Sequence, residues 1–442
     1  MKKNENKTLS NTTCSTGIIM PHKTLKFIDL FCGIGGFHQA LSNIGCKCVF
    51  ACDIDEKCRK TYHKNYKLKP KKDITEINID EIPVFDILCA GFPCQPFSKA
   101  GFQKGFDDEN RGNLFFNICN IIKKHKPKYV ILENVRNLSS HDDGNTWNII
   151  KKNIDELGYN TYDEPLILNV LHFNIPQHRE RVVILCKRKD LGELPKKPKI
   201  NKIDKSKLKC SIKDIIVDDA ENNNKYIIKG KLKITEKIWN DFITILKEND
   251  IEMPKFPIWT DWWDSDGENT SITKITQQIS DDEQQKIIKK RQNAFYKKYK
   301  NWIDKNRKFY ESNIDILKPW LLKSRKEKLW LGAVRKFEWQ AGDLDKDSSM
   351  YNVLWTARGS GIRVKNLDYA PTLVAMSMIP VYGPESRILS PRELCRLQSF
   401  SDDFVCDVND KIIYKQLGNA VNVKMIEKCA RFLLYDEKLF DK

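Results

Sequence analysis

No stretch of this sequence approaches the roughly 20 consecutive apolar residues that a bilayer-spanning helix needs, so a helical membrane protein is not expected. None of the 14 cysteines forms a C-x-x-C pair. The local group Cys46, Cys48, Cys52, Cys58 and His63 therefore lacks the usual ligand spacing of a structural zinc site, and no metal is expected. No secretory signal peptide can be read, and several cysteines (Cys89, Cys186) lie inside apolar runs rather than in a spaced disulfide framework. A reducing, cytoplasmic setting is the expectation. The dinucleotide fingerprint G-x-G-x-x-G is also missing, which argues against a nicotinamide cofactor. Acidic residues are in deficit: 59 of them face 76 Lys and Arg, a formal net charge of +17. That excess favours a polyanionic partner, because each phosphate neutralised releases condensed counterions.

What is present falls into blocks. At 442 residues the chain has room for two or three domains. Residues 1–22 are polar, without hydrophobic period, and read as a disordered tail. Short apolar runs at 27–31, 48–52, 85–90, 129–132 and 182–186 read as buried strands. Helical patterns at 114–124 and 146–157 lie between them. Such alternation predicts an α/β fold with a doubly wound, mostly parallel sheet. Residues 188–210 are rich in Lys and Pro, and 211–347 are basic, tryptophan-rich and irregular apart from a long amphipathic helix near 281–307. Strand-like character returns over 351–382, and a last helix is expected after Gly418. The pattern is one α/β domain interrupted by a smaller, basic one.

Two loops carry chemistry. Asp29-Leu30-Phe31-Cys32-Gly33-Ile34-Gly35-Gly36-Phe37 follows a strand and opens a helix, with glycines where backbone turns tightly beside a ligand. Asp53 ends the next strand, where nucleotide-binding units place an acid on ribose hydroxyls. Gly91-Phe92-Pro93-Cys94-Gln95-Pro96-Phe97-Ser98 follows another strand. Ligands of open α/β sheets bind beyond the carboxyl ends of strands, so a cysteine between prolines there is presented rather than buried.

Phe-Pro-Cys-Gln-Pro-Phe-Ser resembles the catalytic motif of the DNA cytosine-5 methyltransferases, and the Asp29–Phe37 loop resembles their S-adenosylmethionine motif. Glu133-Asn134-Val135, Gln177-His178-Arg179-Glu180-Arg181, the Ser390-Pro391-Arg392-Glu393 region and Gln416-Leu417-Gly418-Asn419-Ala420-Val421 resemble further motifs of that family, in the family's order. Between about 190 and 385 the likeness is only positional. The resemblance implies a Rossmann-like methyltransferase fold divided into a tail (1–22), a catalytic S-adenosylmethionine-binding domain (23–190), an inserted target-recognition domain (191–385) and a returning C-terminal part (386–442). It implies Cys94 as nucleophile on cytosine C6, Glu133 on the base N3 and N4 edge, and Arg179 and Arg181 around the same pocket. On a strand those two alternating arginines would face one side. For the cofactor it implies Phe31, Gly33, Gly35, Asp53, Ile54, Asp73, Ile74, Leu114 and Asn419. Ile54 stands where some relatives carry tryptophan.

A cytosine inside a duplex cannot meet Cys94, so base flipping is implied. The glycine-punctuated residues 98–112 read as a mobile lid, with Gln95 and Ser98 among the DNA contacts. Arg358 and Arg363 flank a Gly-Ser-Gly turn and are candidate guanine readers. The tryptophans read as core, and the lysine-rich helix as a solvated face or phosphate contact. Double-stranded DNA is the expected partner, the protein a monomer, and a restriction endonuclease its genetic partner. The competing readings are a tRNA cytosine methyltransferase and a non-catalytic DNA-binding protein. No Cys-Phe-Thr element of the tRNA enzymes occurs, and a binding module has no need of Cys94, Glu133 and Arg181 together.

Overall fold

In a computed structural model, residues 24–93, 114–218, 224–263, 282–375, 378–406 and 409–440 are described. The tail 1–22, Cys94, Gln95, Ser98 and the lid residues through Gly112 lie outside them.

The first apolar runs form parallel strands covered on both faces, the setting in which strand sequences are continuously apolar. β1 (Lys26–Leu30), β2 (Lys47–Cys52), β3 (Ile87–Gly91) and β4 (Tyr129–Val135) lie side by side in the order β2-β1-β3-β4. β5 (Tyr159–Asn160) and β6 (Leu166–Asn169) both pair with β8 (Glu180–Arg188), which runs antiparallel to β4. The sheet is thus parallel in the half that carries the Asp29–Phe37 turn and the Phe92–Pro93 segment, and antiparallel in the other.

Alternate residues of β1 enter opposite layers. Phe27 packs with α1 (Gly36–Ser42) and the chain's last helix, α10 (Val423–Tyr435). Ile28 and Leu30 pack on the other side with α3 (Leu114–His125) and α4 (Asn145–Glu156), while α2 (Glu56–Tyr66) follows β2. This is a doubly wound α/β layer, with the strand order reversing between β1 and β3.

The second lobe is built on a six-stranded sheet, β15-β14-β11-β12-β10-β9. Its strands are β9 (Ile258–Trp259), β10 (Lys336–Gln340), β11 (Leu354–Arg358), β12 (Gly361–Lys365), β14 (Val381–Tyr382) and β15 (Arg387–Ile388). Two short strands, β7 (Gln177–His178) and β13 (Ala370–Pro371), join the lobes as a separate parallel pair. Helices α5 (Gly230–Glu248), α6 (Asp282–Glu311) and α7 (Ile314–Arg325) accompany the second sheet. Trp239, Trp263, Trp320, Trp330 and Trp355 are buried together with Phe242 and Phe337, so these tryptophans are core. Trp239 stacks on Phe337 with ring centroids 4.3 Å apart.

Where the sequence reads as irregular, two helices form. α5 buries Thr235, Ile238, Trp239, Phe242, Ile243 and Leu246 along one face, but it starts at a glycine and mixes β-branched and aromatic residues with lysines. α7 carries Pro319 in its interior. The chain then returns to the first lobe through α8 (Pro391–Leu397), α9 (Asp410–Asn419) and α10. Ser390 and Glu393 form a reciprocal capping box at the start of α8. The buried Glu393 carboxylate also receives Arg387 from β15, at 2.8 and 2.7 Å, which pins the second sheet to the first lobe.

Candidate active site

The strand ends of the parallel half meet at one edge of the sheet. After β1 the backbone turns through left-handed conformations at Phe31 (φ 55), Gly33 (φ 52) and Gly35 (φ 92). At Gly35 a Cβ would lie 2.1 Å from the Tyr66 ring, so glycine is obligatory there, whereas open space lies beyond Gly33. Phe31 is a bulky residue held at positive φ, a conformation that persists only where the surroundings enforce it. The Gly33 N–H donates to Asp53 Oδ2 and the Asp55 N–H to Asp53 Oδ1, both at 2.8 Å. Asp53, at the end of β2, is thereby clamped against the glycine turn, and burial pushes its carboxyl above the ordinary range. Beside it Ile54 is 70% exposed, an apolar surface beyond the strand end.

The next segment is drawn in by backbone bonds between Lys71 and β2. There Asp73 accepts from the Thr75 N–H and hydroxyl, at 2.9 and 2.8 Å, which hold its carboxyl below the usual range. Ile74 is buried, and Leu114, at the start of α3, packs against the same apolar cluster. Asn419 ends α9 and is exposed. Two residues further on, the Val421 carbonyl would lie 2.4 Å from a Cβ at Gly36, which places the α9–α10 turn against the start of α1. An apolar surface, a clamped carboxylate and open space over a glycine turn suit a ligand with an adenosine end, and S-adenosylmethionine fits that donor set.

The second group lies across β3 and β4. Glu133 stands opposite Gly91 in register, and its Oε1 meets Arg181 Nε at 2.9 Å. Burial pushes the Glu133 carboxyl up, while Arg181 and then Arg179 pull it partly back, and burial prevails. Burial likewise lowers Arg181, and takes Arg179 down to about 9. Asn134 Nδ2 donates to the Phe92 carbonyl at 2.9 Å, so β4 holds the segment that leads to Cys94. Cys94, Gln95 and Ser98 themselves fall beyond the described residues.

Arg179 sits at the break between β7 and β8 rather than on a continuous strand, so simple alternation does not place the two arginines. Its guanidinium is fully enclosed and donates to the carbonyls of Leu373, Gly418 and Ala420 at 2.9, 3.2 and 2.8 Å. Gln177 works alongside, donating to the Leu397 carbonyl and accepting from the Leu373 N–H, at 3.0 and 3.3 Å. Sequence reasoning assigned Gln177 and Asn134 no role. Both belong to motifs it singled out, but their partners are backbone atoms, which leave no trace in side-chain pattern.

A family profile described as C-5 cytosine-specific DNA methylase matches residues 25–434. The chain belongs to this family. It is 33% identical over 435 residues to the Type II methyltransferase M.BanI of Aneurinibacillus aneurinilyticus, a match over 91% of this chain and 94% of that protein. It is 42% identical over 217 residues to the Type II methyltransferase M.HhaI of Haemophilus parahaemolyticus, a match over 48% of this chain and 63% of that protein. A solved Entamoeba histolytica methyltransferase, EhMeth, superposes with a TM-score of 0.49 at 16% identity, over 94% of this chain and all 100% of that one, too distant to carry residues across.

In this methylase the two arginines singled out as readers take different settings. Arg358 and Gly361 face each other across the β11–β12 hairpin, with Arg358 half-buried. Arg363 is ion-paired with Glu338 of β10, a residue that sequence reasoning did not single out. Among the described residues no group of three or more His, Cys, Asp or Glu is placed to hold a metal, and no helix is long and apolar enough to cross a membrane.

Proposed function

We propose that this methylase transfers a methyl group from S-adenosylmethionine to C5 of a flipped cytosine in a specific duplex DNA sequence, as the modification arm of a restriction system. The observation that carries the reading is the Asn134–Phe92 bond beside the Glu133–Arg181 pair, which ties the chain leading to Cys94 to a largely dry carboxylate at neighbouring strand ends. The Type II methyltransferase names of the relatives support the biological role.

Phe31, Gly33, Gly35, Asp53, Ile54, Asp73, Ile74, Leu114 and Asn419 would hold the cofactor, which when bound supplies an electrophilic methyl group to C5. Cys94 adds as thiolate to C6 of the extruded base and makes C5 enamine-like. Glu133, with its carboxyl raised, donates or accepts at the N3 and N4 edge as charge develops on the ring. Arg181 fixes the orientation of Glu133, and Arg179 holds the enclosing walls together. After transfer a base removes the C5 proton, the Cys94–C6 bond breaks and the ring recovers its aromaticity. Gln95, Ser98, Arg358 and Arg363 are the proposed DNA contacts.

Plasmid DNA from a host lacking its own cytosine methylation should gain 5-methylcytosine at one bisulfite-mapped sequence when this chain is expressed, and Cys94→Ala should abolish it. Duplexes with 5-fluorocytosine at that position should stay covalently joined to the wild-type protein. Labelled tRNA with unlabelled DNA would overturn the reading.

A further inference from the structure

β10 and β12 run parallel, with Glu338 opposite Arg363. Phe337, Ile362 and Val364 enter the tryptophan core, so Glu338 and Arg363 project from the opposite face of the sheet. Arg363 Nε and Nη2 both reach Glu338 Oε2, at 3.0 and 2.9 Å, and the Gln340 amide donates to Glu338 Oε1. The carboxylate is held on one side and grips the guanidinium on the other. Gly361 makes the approach possible: a Cβ there would lie 2.6 Å from the Cβ of Lys336.

A guanidinium carries its donors in a rigid planar fork. Glu338 occupies the Nε–Nη2 edge and leaves the outer edge, formed by Nη1 and the second hydrogen of Nη2. Arg363 lines a cleft of about 360 Å³ shared with Tyr299, Trp302, Lys336, Ser360 and Gly361. The pair is half-open to solvent, where ion pairs add little to stability, so the fold has small need of it. Its charge is also neutralised. An arginine meant for phosphate gains from an uncompensated charge, and an adjacent carboxylate repels the backbone it would approach. What remains after pairing is direction: two parallel donors at fixed spacing. In the major groove, guanine N7 and O6 are the adjacent acceptors that match them.

We propose that Glu338 is a specificity-determining residue, which holds Arg363 so that the outer edge of its guanidinium reads a guanine in the major groove of the target duplex. This rests on the DNA methylation reading above. Glu338 acts through Arg363 and is a positioning residue.

Full-length wild-type protein, Glu338→Gln and Arg363→Ala are each expressed in cells lacking cytosine methylation, and the genomes are bisulfite-sequenced. Both variants should still methylate, and both should accept other bases at one and the same position, where discrimination falls about 10-fold or more, within the range of a single lost base contact. Unchanged consensus sequences, or a uniform loss at every sequence by folded variants, overturn the proposal. If the variants do not fold, wild-type protein is tested on duplexes carrying 7-deazaguanine, which lacks N7, at each guanine of the site in turn. One position should slow methyl transfer about 10-fold or more, and no effect at any position overturns the proposal. Absence of any methylation by the wild type would instead sink the underlying methyltransferase reading, and this proposal with it.

Discussion

Glu133 is buried against two arginines, and the balance of these forces sets its behaviour. Arg181, at 2.9 Å, favours the carboxylate, but withdrawal from water favours the acid more, and the group sits above the ordinary carboxyl range. Its folded pKa is therefore higher than its unfolded one. The stability this contributes is complete below the unfolded value of about 4.3 and is lost as pH rises through the raised value. In the proposed mechanism activity follows the same sign: the proton needed at the base edge is lost as pH rises, while the Cys94 thiolate is gained. The pH profile of methyl transfer should be a bell with its alkaline limb set by Glu133. Glu133→Gln should lower transfer by about 10²–10⁴ and remove that limb, as read by labelled methyl incorporation across pH. The difference between wild-type and variant melting temperatures should shrink toward acid pH and grow toward neutral. An unchanged alkaline limb in the variant would assign it to another group. Glu133 itself is legible in sequence as part of Glu-Asn-Val, but its pairing geometry is not, because Arg181 lies 48 positions away on an antiparallel strand whose direction no apolar run announces.

At the scale of elements, glycine packing gives a sharp test. Gly418 lies inside α9, and a Cβ there would sit 2.4 Å from the backbone carbon and oxygen of Val374. Backbone cannot swing aside as a side chain can, so Gly418→Ala must push α9 away from the 370–375 segment and loosen the carbonyl cage around Arg179. A loss of about 1–3 kcal/mol is expected by urea unfolding, typical of overpacked sites. Gly359, with ordinary φ and open space around it, is the control, and Gly359→Ala should leave the midpoint within about 0.5 kcal/mol. The same helix shows where sequence reading stops. The five longer strands of the first sheet and helices α3, α4 and α6 announce themselves by period or by continuous apolar runs. The two-residue strands β5, β7, β9 and β15 do not, because their pairing is set by what the rest of the fold brings alongside. α5 and α7 were hidden by a glycine start, an internal proline and lysines interleaved with tryptophan, and only the tertiary core selects the helix there.

Across the whole molecule the charge of +17 would act on every duplex alike, whereas the proposed reading by Arg363, ion-paired with Glu338, would act on one sequence. Electrostatic attraction to phosphates is lost with salt along a line of log K against log salt, with a slope of about −0.9 for each phosphate neutralised. A footprint of roughly 6–10 phosphates predicts a weakening of about 10³–10⁵ between 50 and 200 mM salt. The test is fluorescence anisotropy with the cognate duplex and with a scrambled one. Both should show steep slopes, because the lysine-rich surface does not distinguish them. The gap between the two lines should come from a few directed contacts. Glu338→Gln should narrow that gap and leave the slopes within about one unit of wild type, since one neutralised carboxylate changes few phosphate contacts. A variant whose slope flattens strongly while the gap persists would show instead that this corner of the second lobe grips the backbone, and that sequence is read elsewhere on the lobe.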